Sequence, residues 1–350
     1  MRSWMVTGIR TGAAFLCGLL ALAWLAPATA APAIASRSAA GVHALASVAF
    51  LDGIACESRS QCFAVGSSRH GQGVIVAVKA GVPGKVTTVP ASDAMEGITC
   101  PTKSFCVAVG RTKTVESVIV PVRNGKAAKA DVVKSSHGMY AINCHTWASC
   151  WAVGQDKDAI HVVNGAIAKA YSGGPAPDGL YGVACSSATS CTVVGQAQVS
   201  FGPGYVGTLK TGKSHLTSVS QSLGVYGIAC PSSTTCIVVG FGTTYNKGMT
   251  AVLRSGHVSA AHQVAKTVLT AVVCRTSNSC VAVGYSSRSG ALAPLGGAVV
   301  PIKSHVPGKV KPVAGVSELS GVACPSAGSC IAVGFHGHGK AQRGVVYAFK

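Results

Sequence analysis

The stretch GIACPSSTTCIVVG (residues 227–240) holds two cysteines separated by five residues and ends on Val-Gly. Six other stretches share this layout, and Val-Gly closes all seven. Successive first cysteines lie 44, 44, 41, 45, 44 and 50 residues apart, a period typical of propellers and solenoids. The pairs are Cys56/Cys62, Cys100/Cys106, Cys144/Cys150, Cys185/Cys191, Cys230/Cys236, Cys274/Cys280 and Cys324/Cys330.

The residues between the pairs predict short β-strands. Val- and Ile-rich runs such as VIVAVKAG (74–81) are followed by polar-apolar alternation such as KVTTVP (85–90). Each repeat therefore predicts four strands: A ends at the first Cys, B starts at the second, C carries the Val/Ile run, and D follows an Asn-Gly or Gly-Lys turn. Four strands in about 44 residues match the size of a propeller blade.

The two ends of the chain predict how the repeats close. The residues after Cys324 suffice for strands A, B and C only, while the apolar stretch VHALASVAF (42–50) precedes the first repeat. An N-terminal strand from this stretch would complete the last blade and remove exposed sheet edges. The predicted fold is all-β: a seven-bladed β-propeller with four antiparallel strands per blade.

The chain resembles secreted bacterial, actinobacterial-type seven-bladed propellers with GVxC…CxAVG repeats, which are similar in pattern to BNR and YCF48-like repeats. The resemblance covers residues 42–350 and implies a propeller. It implies no single activity, because such propellers include sialidase-like enzymes, assembly factors and binders without catalysis. The sialidase Asp-box is missing from every repeat, so no catalytic residue of that family can be transferred.

The cysteine pairs are expected to form seven disulfides within the blades. A five-residue loop between antiparallel neighbours places two Cβ atoms at cross-strand distance. Zinc sites and free catalytic thiols are the alternatives, but zinc needs converging sets of four ligands and each pair here stands alone. The spacing also predicts a structural role for the glycine of Val-Gly, at a bend or at a close backbone approach.

The N-terminus predicts export. Arg2 and Arg10 precede the run AAFLCGLLALAWLA, and Ala28-Thr29-Ala30 closes it, as in a signal peptide of residues 1–30. A linker (31–41) and the propeller (42–350) would follow. Cleavage would leave an even number of cysteines and lower the formal charge from +19 to +17. We predict a secreted protein, extracellular or in the cell envelope, without a transmembrane anchor after cleavage.

One polar position recurs four residues before each first cysteine, at the predicted start of strand A. Innermost strands would gather these side chains as a ring at one mouth of the channel, together with the loops between strands B and C. Such a concave, mixed-polarity mouth is the default ligand site, although the ring could instead fill the channel with water-bridged hydrogen bonds. The seven predicted ligand-binding residues are Asp52, Glu96, Tyr140, Tyr181, Tyr226, Thr270 and Ser320.

The sequence favours a monomeric, non-catalytic binding or scaffold protein. Tyrosines can stack on sugars and cationic loops attract anions, so the predicted partner is a polyanionic or carbohydrate polymer, or a protein. The rival is a glycoside hydrolase or polysaccharide lyase using Asp52 and Glu96 as a carboxylate pair. A structural protein without a ligand is the third possibility. We predict no catalytic residue, no cofactor, no metal site and no specific nucleic-acid recognition.

Overall fold

The computed structural model describes residues 41–173, 178–197, 202–244, 246–287 and 294–350. The predicted signal peptide and all but the last residue of the predicted linker lie outside these residues. In the described ranges the chain forms β-strands joined by short turns, with two short 3₁₀ turns at Gln155–Lys157 and Gly339–Ala341. The same residues contain no helix that is long and apolar enough to cross a bilayer.

Antiparallel pairing groups the described strands into seven units, each ordered A-B-C-D, and one parallel pair, Lys247 with Thr267, joins the fifth and sixth units into a single sheet. The A strands are Val48–Cys56, Ala94–Thr102, Met139–Thr146, Asp178–Cys185, Gly224–Ala229, Thr267–Thr276 and Glu318–Ser326. The B strands are Gln61–Ser68, Phe105–Arg111, Ser149–Gly154, Ser190–Ala197, Thr235–Phe241, Ser279–Ser286 and Ser329–His336. The all-β class with four-stranded antiparallel sheets is confirmed.

The outer half of each unit is a hairpin. The C strands are Gly73–Lys79, Glu116–Arg123, Ala159–Val163, Gly204–Lys210, Lys247–Arg254, Gly296–Lys303 and Arg343–Phe349. The D strands are Val82–Val89, Lys126–Ala127 with Asp131–His137, Ala166–Tyr171, Lys213–Val219, His257–Val258 with His262–Ala265, Val306–Pro307 with Lys311–Val313, and Val42–Leu45.

The last unit takes its D strand from the start of the described chain. Val42–Leu45 pairs with Arg343–Phe349, with Val42 opposite Tyr347 and Leu45 opposite Gly344. The predicted closing strand is therefore present, but it is shorter than the stretch 42–50. A turn at Ala46 and Ser47 ends it, and Val48 already begins strand A of the first unit.

The A strands form the inner wall of a closed ring. Each contacts the A strand of the next unit, and the last contacts the first. The approach is so close that a Cβ on Gly53 would lie 2.9 Å from the carbonyl oxygen of Glu96. At the ring closure a Cβ on Gly321 would lie 2.7 Å from the carbonyl oxygen of Asp52. The equivalent residue is Gly or Ala in all seven repeats, because larger side chains would force the strands apart.

Seven apolar clusters fill the spaces between neighbouring sheets. One cluster packs Val74 and Val76 of the first unit against Ile331 and Val333 of the seventh. The apolar core is therefore divided into layers around the ring, and each layer joins two neighbouring units.

All seven predicted disulfides are present, with S–S distances from 1.94 to 2.07 Å. Each cystine joins strands A and B of one unit, as the spacing of the pair predicts. The two cysteines of a pair nevertheless differ in burial. The first cysteines lie within two residues of the end of strand A and are half-buried: Cys56, Cys100, Cys144, Cys185, Cys230, Cys274 and Cys324.

The second cysteines are core residues as well as cross-links. Each is at most 4% exposed and belongs to one of the seven apolar clusters. The reason is that strand B lies between strands A and C with both faces covered by neighbouring units, so its first residues enter the core directly. These seven core residues are Cys62, Cys106, Cys150, Cys191, Cys236, Cys280 and Cys330.

Tight turns join strands C and D on the side where the cystines lie. Asn124 and Gly125 have φ values of 48° and 74°, and Asn164 and Gly165 have 54° and 82°, which is the left-handed pair of a type I′ turn. The N–H of Asn124 donates to the carbonyl of Ser104, so the turn is held against the loop between strands A and B. We call this side of the ring, which carries the A–B loops and the C–D turns, the cystine end.

Candidate functional site

The seven predicted ligand-binding residues each occupy a β-bulge. In every unit the pairing between strands A and B skips one residue of strand A. A bulge leaves its extra residue unpaired and redirects the side chain. All seven extra residues are half-buried. They are Asp52, Glu96, Tyr140, Tyr181, Tyr226, Thr270 and Ser320.

The bulge explains the glycine of Val-Gly. Gly154 pairs with Met139, the residue before the bulge at Tyr140. A Cβ on Gly154 would overlap the carbonyl oxygen of Gly138 and lie 2.8 Å from the Cα of Met139. The equivalent overlap recurs in all seven units. The predicted close backbone approach is confirmed, and glycine is required because the bulged strand leaves no room for a side chain.

The bulges also correct the predicted position of these residues within strand A. They do not start the strand. In the first unit strand A begins at Val48, four residues before Asp52, and in the third it begins at Met139, one residue before Tyr140. The residue preceding each bulge is a fully buried apolar side chain, as at Leu51 and Met139. Strand A therefore begins at or before this buried residue, on the N-terminal side of the polar position.

Three tyrosines from successive units contact one another. The rings of Tyr140 and Tyr181 are stacked, with centroids 5.2 Å apart and planes 13° apart. The ring of Tyr226 is tilted against Tyr181 at a centroid distance of 5.0 Å. We call these three residues the Tyr arc. Because Tyr181 has an aromatic neighbour on either side, the middle of the arc presents a ring edge and a hydroxyl group rather than an open ring face.

Glutamines from strand B and the following loop support the arc. The hydroxyl of Tyr226 donates to Gln196 Oε1 at 2.6 Å, and that of Tyr140 donates to Gln155 Oε1 at 3.4 Å. Burial, Tyr181 and Glu96 raise the pKa of the Tyr140 phenol, and burial raises the pKa of Tyr181. Both phenols therefore remain protonated at neutral pH and can donate hydrogen bonds.

An ion pair extends the arc on the side of the second unit. Arg111 Nε lies 3.3 Å from Glu96 Oε1. Burial lowers the pKa of the Arg111 guanidinium, but the negative charges of Glu96 and Asp93 outweigh burial and raise it. The side chain of Glu96 is thus engaged by a cation of its own unit. This contact gives Glu96 a structural role, and its pairing with Asp52 for catalysis stays a prediction.

The remaining predicted residues make local contacts. Thr270 Oγ1 donates to the carbonyl oxygen of Leu319 at 2.6 Å, which ties the sixth unit to the seventh, and lies 3.1 Å from the carbonyl oxygen of Val283. Ser320 Oγ lies 3.4 Å from Glu318 Oε1. Asp52 is half-buried on the wall of the ring. The structure therefore joins three of the seven into a continuous arc and leaves Thr270 and Ser320 in structural contacts.

Sequence reasoning missed the residues that follow Val-Gly as site residues. It assigned them to the B–C loops at the mouth, whereas Arg111, Gln196 and Phe241 belong to the ends of B strands. Arg111 and Gln155 contact bulge residues of their own units, while Gln196 contacts Tyr226 of the next. Phe241 meets the edge of the Tyr226 ring at a centroid distance of 5.4 Å. The signal was present as a fixed position, directly after the glycine of each repeat.

No protein-family model and no curated protein matches the chain. Solved structures match it in fold. The RRP9 WD40 repeats superpose with a TM-score of 0.65 at 10% identity, over 90% of this chain and 99% of that one. The WD40 β-propeller domain of Doa1 gives 0.62 at 12% identity over 86% and 93%. YCF48 bound to D1 peptide gives 0.58 at 10% identity over 88% and 94%. The chain folds as a β-propeller.

The two ends of the propeller differ in charge. Eight of the ten acidic residues lie in the A strands or their approaches and in the B–C loops, on the end that carries the Tyr arc. A similar number of Lys and Arg residues occupies the same segments. This end, called the ring end, is therefore close to neutral although the chain is strongly basic. The eight acids are Asp52, Asp93, Glu96, Glu116, Asp156, Asp158, Asp178 and Glu318.

Two cavities open on the propeller away from the Tyr arc. One of about 590 Å³ lies at the ring end between the first two units, lined by residues that include His70, Ser92 and Thr112. A larger one of about 830 Å³ opens at the cystine end, lined by Arg59 and Lys103 among others. The arc and the larger cavity therefore belong to opposite ends of the molecule.

Proposed function

We propose that the protein is a secreted, monomeric, non-catalytic binding propeller whose ligand site is the Tyr arc at the ring end. The observation that carries the proposal is the arc itself. Three half-buried tyrosines from successive units stand on β-bulges, and bulges commonly aim side chains at functional sites. The aromatic and hydroxyl groups of the arc combine apolar surface with hydrogen bonding, as in many protein interfaces.

Secretion is supported by the cystines. Seven disulfides are typical of proteins in an oxidising compartment, which agrees with the signal peptide predicted for residues 1–30. The measurement that tests this is the N-terminal sequence of protein collected from the culture medium. Residue 31 should be found as the first residue.

A peptide segment of a protein partner fits the arc better than a sugar polymer. Tyr181 has aromatic neighbours on both sides, so its ring faces are covered and sugar stacking there is prevented. Ring edges, the Tyr181 phenol and the amide nitrogens of Gln155 and Gln196, whose oxygens already accept from Tyr140 and Tyr226, instead suit the carbonyl and amide groups of a peptide. YCF48, a propeller of similar fold, is described as bound to a peptide. The near-neutral ring end also disfavours a polyanion at this site.

Panning a library of linear peptides against the purified protein, beside a glycan array, separates the ligand classes. Peptides enriched on the wild type should bind the Tyr181→Ala variant at least about 30-fold more weakly. The reason is that truncating a central aromatic residue of an interface costs about 2 kcal/mol or more of binding free energy. Tyr181→Phe, which keeps the ring and removes only the hydroxyl, should lose about threefold to tenfold.

The matched control is Tyr347→Phe, which removes a hydroxyl from strand C of the seventh unit, where Tyr347 stacks on Phe349. Its affinity should equal that of the wild type. Equal affinity of Tyr181→Ala would refute the arc as the site, and binding on the glycan array alone would replace the peptide with a sugar. Turnover of an arrayed polysaccharide that Asp52→Asn or Glu96→Gln abolishes would establish the rival enzyme.

A further inference from the structure

The cystine end concentrates the positive charge of the chain. Its A–B loops and C–D turns, together with the strand residues that flank them, carry eleven Lys and Arg residues and, within these described segments, a single acid, Glu57. The ring end carries eight acids against a similar number of cations, so the excess charge is strongly polarised toward one end. The eleven cations are Arg59, Lys79, Lys103, Arg123, Lys126, Lys210, Lys213, Arg254, Arg275, Lys303 and Lys350.

Six of these cations occupy one equivalent position around the ring. Each is the residue with which strand C ends or, at the C-terminus, the residue after it, and all six are exposed. Lys79 lies opposite Gln61 and Lys303 opposite Ser279, which both begin their B strands, so the six sit at matching heights. The six residues are Lys79, Arg123, Lys210, Arg254, Lys303 and Lys350.

Hydrogen bonds between units hold two of the six cations, Arg123 and Arg254, in place. Arg123 Nη2 donates to the carbonyl oxygen of Asn164 at 2.9 Å, in the C–D turn of the next unit. Arg254 belongs to the fifth unit. Its Nη2 lies 3.2 Å from Nδ1 of His305, in the C–D turn of the sixth unit. In four units the C–D turn is also hydrogen-bonded to the A–B loop, as Ala80 N–H is to the carbonyl of Ser60, so the cations stand on a circular rim whose turns are tied to the loops beside them.

Large apolar side chains are exposed on the same end. Trp147 in an A–B loop is 51% exposed, and Val82 and Val306, which follow C–D turns, are 52% and 53% exposed. An interfacial Trp with nearby cations is the combination that binds the headgroup region of a bilayer. A linear polyanion would require the cations but not the apolar tips.

We propose that the cystine end docks on an anionic lipid bilayer, with the rim cations against acidic headgroups and Trp147 at the acyl boundary. A circular array at one height can engage a flat surface at all six positions together, whereas a single polymer strand follows only part of the circle. Each Lys or Arg near an anionic bilayer contributes about fivefold to the partition coefficient. Docking through this end leaves the ring end facing away from the bilayer, and it is independent of the function proposed for the Tyr arc.

Co-sedimentation with vesicles tests the docking surface. The protein should sediment with vesicles of equal parts phosphatidylglycerol and phosphatidylcholine and not with phosphatidylcholine alone. The triple variant Lys79→Gln, Lys210→Gln and Lys303→Gln should lower the partition coefficient on the order of 100-fold. Arg123 and Arg254 stay in place because they hold neighbouring turns. Trp147→Ala should weaken binding to the vesicles and leave binding to soluble polyphosphate unchanged.

The control variant removes the same charge from the ring end, at the exposed residues Lys113, Lys266 and Lys340, each changed to Gln. It should lower the partition coefficient by less than about threefold, since these residues face away from the bilayer. Equal weakening by the two triple variants would mean that net charge alone drives binding, and would overturn the proposal. Binding to polyphosphate without binding to vesicles would overturn it as well, as would a Trp147→Ala variant with unchanged vesicle binding.

Discussion

Gly334→Ala is expected to destabilise the propeller by about 4 kcal/mol or more, or to prevent its folding. A Cβ at this position would overlap the carbonyl oxygen of Glu318 and lie 2.8 Å from the Cα of Leu319. Both atoms belong to the backbone of the bulged A strand, which is packed between neighbouring units and has no room to move. Urea unfolding followed by circular dichroism measures the loss as a shift in the midpoint.

Gly328→Ala is the matched control for this variant, six residues earlier in the same unit. A Cβ at Gly328 would meet no atom within 4 Å, and its backbone is not in the left-handed region. Its free energy of unfolding should stay within about 0.5 kcal/mol of the wild type. A Gly334→Ala protein as stable as Gly328→Ala would show that the bulge is not fixed as described.

Reduction of the seven cystines is expected to abolish the fold. The chain-entropy relation assigns about 2.4 kcal/mol to each seven-residue loop, which over seven cystines exceeds the typical stability of about 5 to 15 kcal/mol. The strands are rich in Val, Ala and Gly, which bury less apolar area per residue than Leu or Phe. Protein reduced in denaturant and returned to buffer with reductant should therefore give no cooperative unfolding transition.

The control for this experiment is the oxidised protein taken through the same denaturant cycle without reductant. It should recover its original unfolding midpoint. The double variant Cys100→Ala and Cys106→Ala should fold with a loss of about 2 to 3 kcal/mol, because only one of the seven loops is opened. A reduced protein that regains the original midpoint would contradict the stabilising role given to the cystines.

Much of the fold could be predicted from the repeats. The cysteine pairs, the Val-Gly ending and the Asn-Gly turns are local patterns, and each reports a local geometry: a cross-strand disulfide, a close backbone approach and a type I′ turn. The closing strand followed from counting strands at the two chain ends. Only its length was wrong, because Val48 belongs to the next strand and VHALASVAF shows no break at the turn.

The unequal burial of the two cysteines in a pair could not be predicted from their spacing. Both cysteines of the first pair, Cys56 and Cys62, flank the same short loop, and the sequence gives no sign of which one faces a neighbouring unit. Burial of Cys62 depends on contacts with the seventh unit, more than 260 residues away along the chain. Contacts of that kind arise only when the ring closes.

The bulges could not be predicted either, because every repeat carries one. An extra residue is visible in a sequence only when one repeat has it and another lacks it. The distance from Asp52 to Cys56 equals that from Tyr140 to Cys144, so comparison of the repeats shows no insertion. The polar position could be recognised, but not the reason why its side chain leaves the alternating pattern.

The orientation of the Tyr arc and the charges of the two ends also needed the structure. The sequence shows that Tyr140, Tyr181 and Tyr226 occupy equivalent positions. Whether their ring faces are covered depends on the distance between neighbouring units, which only the structure gives. Cations are spread over all repeats in the sequence. They separate from the acids only when the topology places the C–D turns and the B–C loops at opposite ends.

Hydroxyl-radical footprinting, read by mass spectrometry, tests directly whether the Tyr arc binds the ligand. The protein is labelled alone and with a peptide enriched by panning at saturating concentration. Modification of Tyr140, Tyr181 and Tyr226 should fall together when the peptide is bound, while modification of Tyr347 stays constant. Unchanged labelling of the three tyrosines, with protection elsewhere on the propeller, would contradict the proposed site.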